Sequence, residues 1–317
     1  MKVVLANDGI AQSGVDALEK AGFEVLITRV AQEQLANFIN KNGVDVLLVR
    51  SATEVKKPLI DACPQLKLIG RGGIGMDNID VDYAKSKGVH IINTPTASAE
   101  SVAELVFAHL LSGVRFLHNA NRDMPLEGDS QFKHLKKSYA KGRELRGKTL
   151  GIIGFGTIGQ ATAKMGLSLG MKVLFTDHHV KKETLEVSFF DGQSVKFELT
   201  NSDLKTVLQE SDFISLHVPA QNGYVIGKKE LALMKDGAGI INTSRGGVID
   251  EVALVEALDT DKISFAGLDV YESEPTPEIK ILMHPQISLS PHIGASTQEA
   301  QERIGLELAS QVIKLLK

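Results

Sequence analysis

TLGIIGFGTIGQATAKMGLSLGMKVLFTD, residues 149–177, decides the fold. An apolar β-type run at 150–153 breaks into Gly154-Phe155-Gly156-Thr157-Ile158-Gly159, helix-forming residues continue through Gly166, and a second apolar strand ends on Asp177. Each position has a mechanical reason. Gly154 permits the tight turn from strand to helix, Gly156 lets backbone approach a pyrophosphate, and Gly159 allows close packing of helix on strand. The helix amino-terminus offers unpaired N–H groups and a positive dipole end to the phosphates. Asp177, about 20 residues beyond the glycines, stands where a carboxylate accepts hydrogen bonds from adenosine ribose hydroxyls. A lone glycine triplet is a weak signal; here strand, glycines, helix, strand and acid follow in order. A carboxylate at 177 repels a 2′-phosphate, and His178 and His179 follow it instead of arginine, so NAD is favoured over NADP.

The whole chain sets the bounds. Its 317 residues suffice for two domains. Hydrophobic residues at 43% and charged residues at 23% are ordinary for a soluble globular protein. A net charge of −4 gives no field to draw nucleic acid or an anionic membrane. The single cysteine, Cys63, excludes an internal disulfide framework and reads as a small buried hydrophobe. The amino-terminus reaches a charge too soon for a signal peptide, and no apolar run approaches a transmembrane helix, so a cytoplasmic enzyme is expected.

Residues 1–97 alternate strand and helix patterns, with strand-like runs at 3–6, 23–27, 44–49, 66–69 and 89–93. Apolar strands between amphipathic helices form a parallel sheet covered on both faces. The first turn carries Asp8-Gly9 in place of the glycine triplet, so this unit lacks the dinucleotide fingerprint. Ligands of such sheets lie beyond the carboxyl ends of the strands. Two loops there are polar and cationic: Arg50-Ser51-Ala52-Thr53 and Arg71-Gly72-Gly73-Ile74-Gly75-Met76-Asp77. The glycines of the second form a nest of N–H groups suited to a carboxylate, or merely permit a turn.

A long helix at 99–117, N-capped by Ser98, follows; its apolar surface is wide enough to connect domains and meet a second subunit. Residues 119–148 are polar and basic (Lys133, Lys136, Lys137, Lys141, Arg143, Arg146 and Lys148), reading as a solvated loop or as cations that reach a phosphorylated substrate. Alternating runs around Asp191-Gly192 predict a β-hairpin at 185–199. An amphipathic helix at 297–316 is long enough to fold back on the first unit. The expected fold is α/β, with two doubly wound parallel-sheet domains: a flavodoxin-like substrate domain at 1–97 and 294–317, and a Rossmann NAD-binding domain at 98–293.

Three groups with reactive chemistry follow strand ends in the second half: Arg245 in NTSRGG, Glu274 in DVYESEP and His292 in SPHIGA. With VRSAT, GRGGIGMDNID, GFGTIG, SDFISLHVP, INTSRGGVID, GLDVYESEP and SPHIGAST in order over nearly the whole length, the chain resembles the D-isomer-specific 2-hydroxyacid dehydrogenase family. Its wording is nearest to members that act on 3-phosphoglycerate. The resemblance implies an NAD-dependent oxidoreductase. Arg245 would hold the substrate carboxylate and carbonyl oxygen with its fork of donors. His292 would take the hydroxyl proton as hydride leaves, and Glu274 would orient its ring and stabilise the imidazolium. Gly72, Gly73 and Ile74 would take the carboxylate through N–H groups, with Arg50 and Ser51 at a phosphate. Gly154, Gly156, Thr157, Ile158 and Gly159 would line the pyrophosphate and Asp177 the ribose. His217, Val218, Pro219, Thr243, Ser244, Gly294 and Ala295 would shape the cofactor site, with Asp269 on the nicotinamide carboxamide.

Relatives acting on hydroxypyruvate, glyoxylate or lactate share these groups, so fold alone does not choose the substrate. The family expectation is a homodimer through residues 99–150. The longer members carry a carboxyl-terminal serine-sensing domain; with the chain stopping at Lys317, inhibition through such a domain is not expected. A non-catalytic NAD-sensing corepressor is an alternative of another class, weakened by the lack of a peptide-recruiting extension. His109, His118, His178 and His179 receive bland structural readings. No HExxH or Cys/His cluster is present, and no metal is expected.

Overall fold

The computed structural model describes residues 1–317, which divide into two compact units: Met1–Ala99 with Ala295–Lys317, and Glu100–Gly294. In the first, strands β1 (Lys2–Ala6), β2 (Phe23–Leu26), β3 (Val44–Val49), β4 (Leu68–Arg71) and β5 (His90–Asn93) form one parallel sheet in the order β2-β1-β3-β4-β5. Helices α1 (Gln12–Lys20), α2 (Gln32–Lys41), α3 (Lys57–Ala62) and α4 (Val81–Ser86) make the crossovers. Side chains alternate across the strands, so the sheet needs apolar residues at successive positions to serve both faces. Leu5, Leu47, Val49 and Ile69 meet α2 through Leu35 and Ile39. Val4, Val46, Leu48 and Leu68 face the opposite way, onto Leu18 of α1 and onto Ile304, Leu308 and Val312 of the C-terminal helix Gln298–Leu316. The Thr297 hydroxyl caps that helix, accepting from Ala300 N at 3.1 Å.

The second unit opens with α5 (Ala99–Val114), α6 (Leu117–Glu127) and α7 (Phe132–Ser138). Its sheet holds β6 (Thr149–Ile153) and β7 (Lys172–Thr176), joined by α8 (Thr157–Ser168). An antiparallel hairpin follows, β8 (Lys182–Ser188) and β9 (Ser194–Thr200). Regular alternation resumes with α9 (Leu204–Glu210), β10 (Phe213–Leu216), α10 (Lys228–Leu233), β11 (Ala238–Asn242), α11 (Glu251–Asp259), β12 (Ile263–Leu268), α12 (Ile279–Met283) and β13 (Ile287–Leu289). Six parallel strands lie in the order β13-β12-β11-β10-β6-β7. The progression reverses between β6 and β10, the switch point at which such sheets open a crevice.

The single helix expected at 99–117 stops at Val114. Phe116 takes a left-handed φ of 55°, which an L-residue cannot continue as a helix, and α6 starts afresh at Leu117. The stretch 119–148, expected as loop, contains the rest of α6 and all of α7. Arg143 is no solvated cation there: it donates to Gly237 O at 2.9 Å and Ser264 Oγ at 2.7 Å, with its guanidinium over the Phe213 ring. No helix is long and apolar enough to cross a membrane.

Candidate functional site

At the carboxyl end of β6 the three glycines do three different things. Gly154 has φ 92°, and a Cβ on it would stand 2.4 Å from His217 O. A Cβ on Gly159 would stand 2.2 Å from Gly154 O, so α8 leans directly on the turn. A Cβ on Gly156 would meet nothing within 4 Å; this exposed N-cap, with Thr157 and Ile158 in the first turn of α8, leaves the helix N–H groups facing outward. That is the cradle a pyrophosphate requires.

Asp177 completes it. Its Oδ2 accepts from Phe155 N at 2.7 Å, and its Oδ1 from His179 N at 2.7 Å and Val180 N at 3.0 Å. Partial burial works against its charge, but these N–H donors and the neighbouring His179 outweigh it and hold the carboxyl below the usual range. Asn201 clips the backbone of Asp177 from both sides, accepting from its N at 3.0 Å and donating to its O at 2.8 Å. Sequence reasoning missed Asn201, because it acts from across the hairpin. The cleft between these parts, about 500 Å³, is lined by Gly154, Gly156, Asp177, His217, Val218 and Pro219 among others. Charge, shape and donor set fit a dinucleotide with a free 2′-hydroxyl.

His217 directly follows β10, with Nε2 2.9 Å from Ser215 Oγ, and burial pushes its imidazole down to about 3. The unfolded ring protonates near pH 6.5, whereas the folded ring stays neutral until about 3. The stability this gives is complete above about pH 6.5 and drains away as the pH falls. The drop in thermal midpoint from pH 7 to pH 5 is therefore expected to be smaller in His217→Gln than in the wild type. Equal drops would remove His217 as the cause.

The other half of the site is a stack of three loops. After β11, Asn242 organises the turn bearing Arg245: its Oδ1 accepts from Ser244 N at 3.0 Å and Ser244 Oγ at 2.8 Å, and its Nδ2 donates to Arg245 O at 2.9 Å. Asn242 is a second residue that sequence reasoning missed. The Thr243 hydroxyl is buried with no hydrogen-bond partner in the protein, a polar atom left for a ligand to satisfy. A Cβ on Gly246 would fall 1.8 Å from Tyr271 O, so the Arg245 loop is pressed onto the loop after β12. That loop carries Glu274, whose Oε1 accepts from Tyr271 N at 3.0 Å. Its Oε2 lies 2.8 Å from His292 Nδ1, in an exposed pair. With Nδ1–H given to the carboxylate, His292 Nε2 is the ring atom available to exchange a proton. An apolar recess of about 440 Å³, lined by Tyr271, Pro275, Leu282, Leu289 and Pro291, adjoins the pair.

Asp269, expected at the nicotinamide carboxamide, also has partners inside the protein. It is 1% exposed, and its carboxylate accepts from Ser290 Oγ at 2.6 Å, Ile293 N at 2.8 Å and Gly294 N at 2.8 Å. It anchors the loop on which His292 sits. Ala295 begins the chain's return to the first unit, its O accepting from Gln301 Nε2 at 2.7 Å.

In the first unit, the loop after β3 is held by two residues that sequence reasoning missed. Asp8 accepts from Arg50 N at 2.6 Å, Thr53 N at 3.2 Å and Thr53 Oγ1 at 2.7 Å. Asn78 Nδ2 donates to Arg50 O at 2.7 Å and Thr53 O at 2.6 Å. Arg29, Arg50 and Ser51 line a recess of about 380 Å³. The expected nest needs correction. Gly72 N–H bonds Val49 O at 2.8 Å, and Gly73 N–H bonds Thr94 Oγ1 at 2.7 Å. Two of the three amides assigned to a carboxylate are thus committed inside the protein.

Comparison with known proteins adds the following. Residues 107–294 match the family described as D-isomer specific 2-hydroxyacid dehydrogenase, NAD binding domain. The chain is 44% identical to a hydroxypyruvate reductase from Thermotoga maritima over 99% of this chain and 98% of that one. It is 39% identical to a D-3-phosphoglycerate dehydrogenase from Methanocaldococcus jannaschii, over 100% of this chain but 58% of the relative's length. Among solved structures, a D-lactate dehydrogenase from Aquifex aeolicus complexed with NAD and lactic acid superposes with a TM-score of 0.75 at 32% identity, covering 98% of this chain and 94% of that one.

Proposed function

The chain belongs to the D-isomer-specific 2-hydroxyacid dehydrogenases, NAD-binding oxidoreductases, and we propose that its reaction is the oxidation of D-3-phosphoglycerate to 3-phosphohydroxypyruvate, with His292 as the base. The 2.8 Å bond from His292 Nδ1 to Glu274 Oε2 carries the mechanistic part. It fixes the tautomer in which Nε2 accepts the C2 hydroxyl proton, and the carboxylate stabilises the imidazolium that results. Arg245 binds and polarises the oxygen at C2 and its neighbouring carboxylate. Bound NAD supplies the acceptor for the C2 hydride.

Arg29 and Arg50 carry the phosphate part, because the one acid beside them, Asp8, already accepts from the Arg50 and Thr53 amides and the Thr53 hydroxyl. A dianionic phosphate meets two guanidiniums and no competing free carboxylate there. A second reading, reduction of hydroxypyruvate, is favoured by the near full-length match to the Thermotoga relative. We also place a homodimer contact on α5–α7, where Leu117, Leu126 and Phe132 are 53%, 79% and 57% exposed.

NADH oxidation with 3-phosphohydroxypyruvate, hydroxypyruvate, glyoxylate and pyruvate tests the choice. The phosphorylated acid is expected to lead in kcat/KM by at least about 100-fold, as two charge-assisted contacts imply, and Arg50→Gln to remove most of that lead. A lead for hydroxypyruvate would replace the first reading by the second.

A further inference from the structure

We propose that His109 is a positioning residue for His292: a buried imidazole in the middle of α5 that sets, through Ser290 and Asp269, the backbone from which His292 works. The proposal rests on the reading of His292 as the base.

His109 is 4% exposed on a helix whose buried side is apolar apart from it and Ser101 near the first turn. Its place is prepared by Gly267 in β12, where a Cβ would stand 2.6 Å from the His109 Cβ. Nδ1 lies 2.9 Å from Ser288 Oγ, and Nε2 lies 2.9 Å from Ser290 Oγ. Counting protons fixes the ring. Ser290 has one hydroxyl hydrogen and gives it to Asp269 Oδ1 at 2.6 Å, so its oxygen must accept from His109 Nε2–H. The neutral ring then accepts at Nδ1 from Ser288 Oγ–H. Burial lowers the imidazole's affinity for a second proton, while the charge of Asp269 opposes this less strongly. Each proton in the chain His109–Ser290–Asp269 is thereby donated once, in one direction.

The far end of this chain is the His292 loop. Asp269 holds Ile293 N and Gly294 N, the two amides directly after His292, each at 2.8 Å. His292 itself has φ 54°, a left-handed conformation that a non-glycine residue keeps only where its surroundings impose it. Glu274 holds its ring, and Asp269 holds its backbone. An apolar residue at 109 would leave Ser288 Oγ and one lone pair of Ser290 Oγ unsatisfied in a dry site, and the anchor beneath Asp269 would be free to shift.

The test is a double-mutant cycle of His109→Met and Ser290→Ala, with steady-state kinetics on 3-phosphohydroxypyruvate and hydroxypyruvate and with thermal midpoints. Each single change is expected to lower kcat about 10- to 100-fold, the scale of a misplaced proton-transfer group, with KM altered less than about threefold. The double variant should be no worse than about twofold below the weaker single, because both changes cut the same chain. His109→Gln, which can donate and accept at similar positions, should recover most of the lost kcat, and it serves equally if His109→Met does not fold. A kcat near wild type alongside a lowered midpoint would reduce His109 to packing, and multiplying losses would separate it from Ser290. His292→Asn run in parallel distinguishes the two claims. Turnover surviving that change refutes the role of His292 and this one with it; turnover lost there but intact in His109→Met refutes only the role of His109.

Discussion

Arg245→Ala leaves NADH affinity within about threefold of wild type and lowers kcat/KM by about 10³ to 10⁴, the scale of removing a preorganised charged donor from a reacting oxygen. The asymmetry follows from where the parts sit. The glycines, the first turn of α8 and Asp177 form a cradle that does not use Arg245. Arg245 is delivered by a separate turn after β11, where Asn242 holds Ser244 and the Arg245 carbonyl and Gly246 seats the loop against Tyr271. One of its guanidinium nitrogens, Nη1, donates to Ser244 O at 2.6 Å, which fixes the plane of the fork. Arg245→Lys should therefore recover little, since a single ammonium cannot reproduce two donors in a fixed plane. Fluorescence titration of NADH beside initial rates decides the matter. Turnover that survives Arg245→Ala would remove this residue from the site, and a parallel loss of NADH binding would mean that the turn supports the cofactor instead.

The parts of this site that were legible in the sequence are those encoded at short range. Gly154, Gly156 and Gly159 stand within six residues of one another between a strand and a helix, and the Arg245, Glu274 and His292 loops each follow an apolar strand. What holds the loops was less legible: Asn242 acts within its own turn, but the other clamps come from distant parts of the chain. Asn201 acts on Asp177, Asp8 on Arg50 and Thr53, and Asn78 on that same loop from a different turn. The Gly72-Gly73 nest failed for the same reason: the sequence shows donors but not that Val49 and Thr94 already take them. For Asp269 the sequence shows an acid after a strand but not that residues 290–294 wrap around it. The helices of 117–138 escaped notice for an opposite reason. None of α6 is buried, so no apolar period marks it, whereas α8 carries a stripe that a core demands.

Glu274→Gln tests the tautomer argument more severely than deletion does, because it changes one atom and almost no volume. Glu274 has two acceptor oxygens and uses both, Oε1 for Tyr271 N and Oε2 for His292 Nδ1. A glutamine has one acceptor and one donor end. If its oxygen stays on His292, its NH₂ group confronts Tyr271 N–H, and the loop is pushed off Gly246. If its oxygen stays on Tyr271 N, its NH₂ group faces His292 Nδ1, and the ring must move its proton to Nε2 to accept it. Nε2 then cannot take a proton from the substrate. Neither arrangement keeps the ring and the loop as they are, and neither provides a negative charge for the imidazolium. The expected loss in kcat is about 10³ to 10⁴, the scale seen when the orienting carboxylate of a catalytic histidine becomes an amide. NADH affinity and the thermal midpoint should move little, since the pair is exposed and its surface charge adds little to stability. Glu274→Asp keeps both acceptors on a shorter arm, so it should retain more turnover than the glutamine variant, although glutamine is the closer match in length. The reverse ranking would show that reach, and not acceptor count, is what His292 requires of this residue.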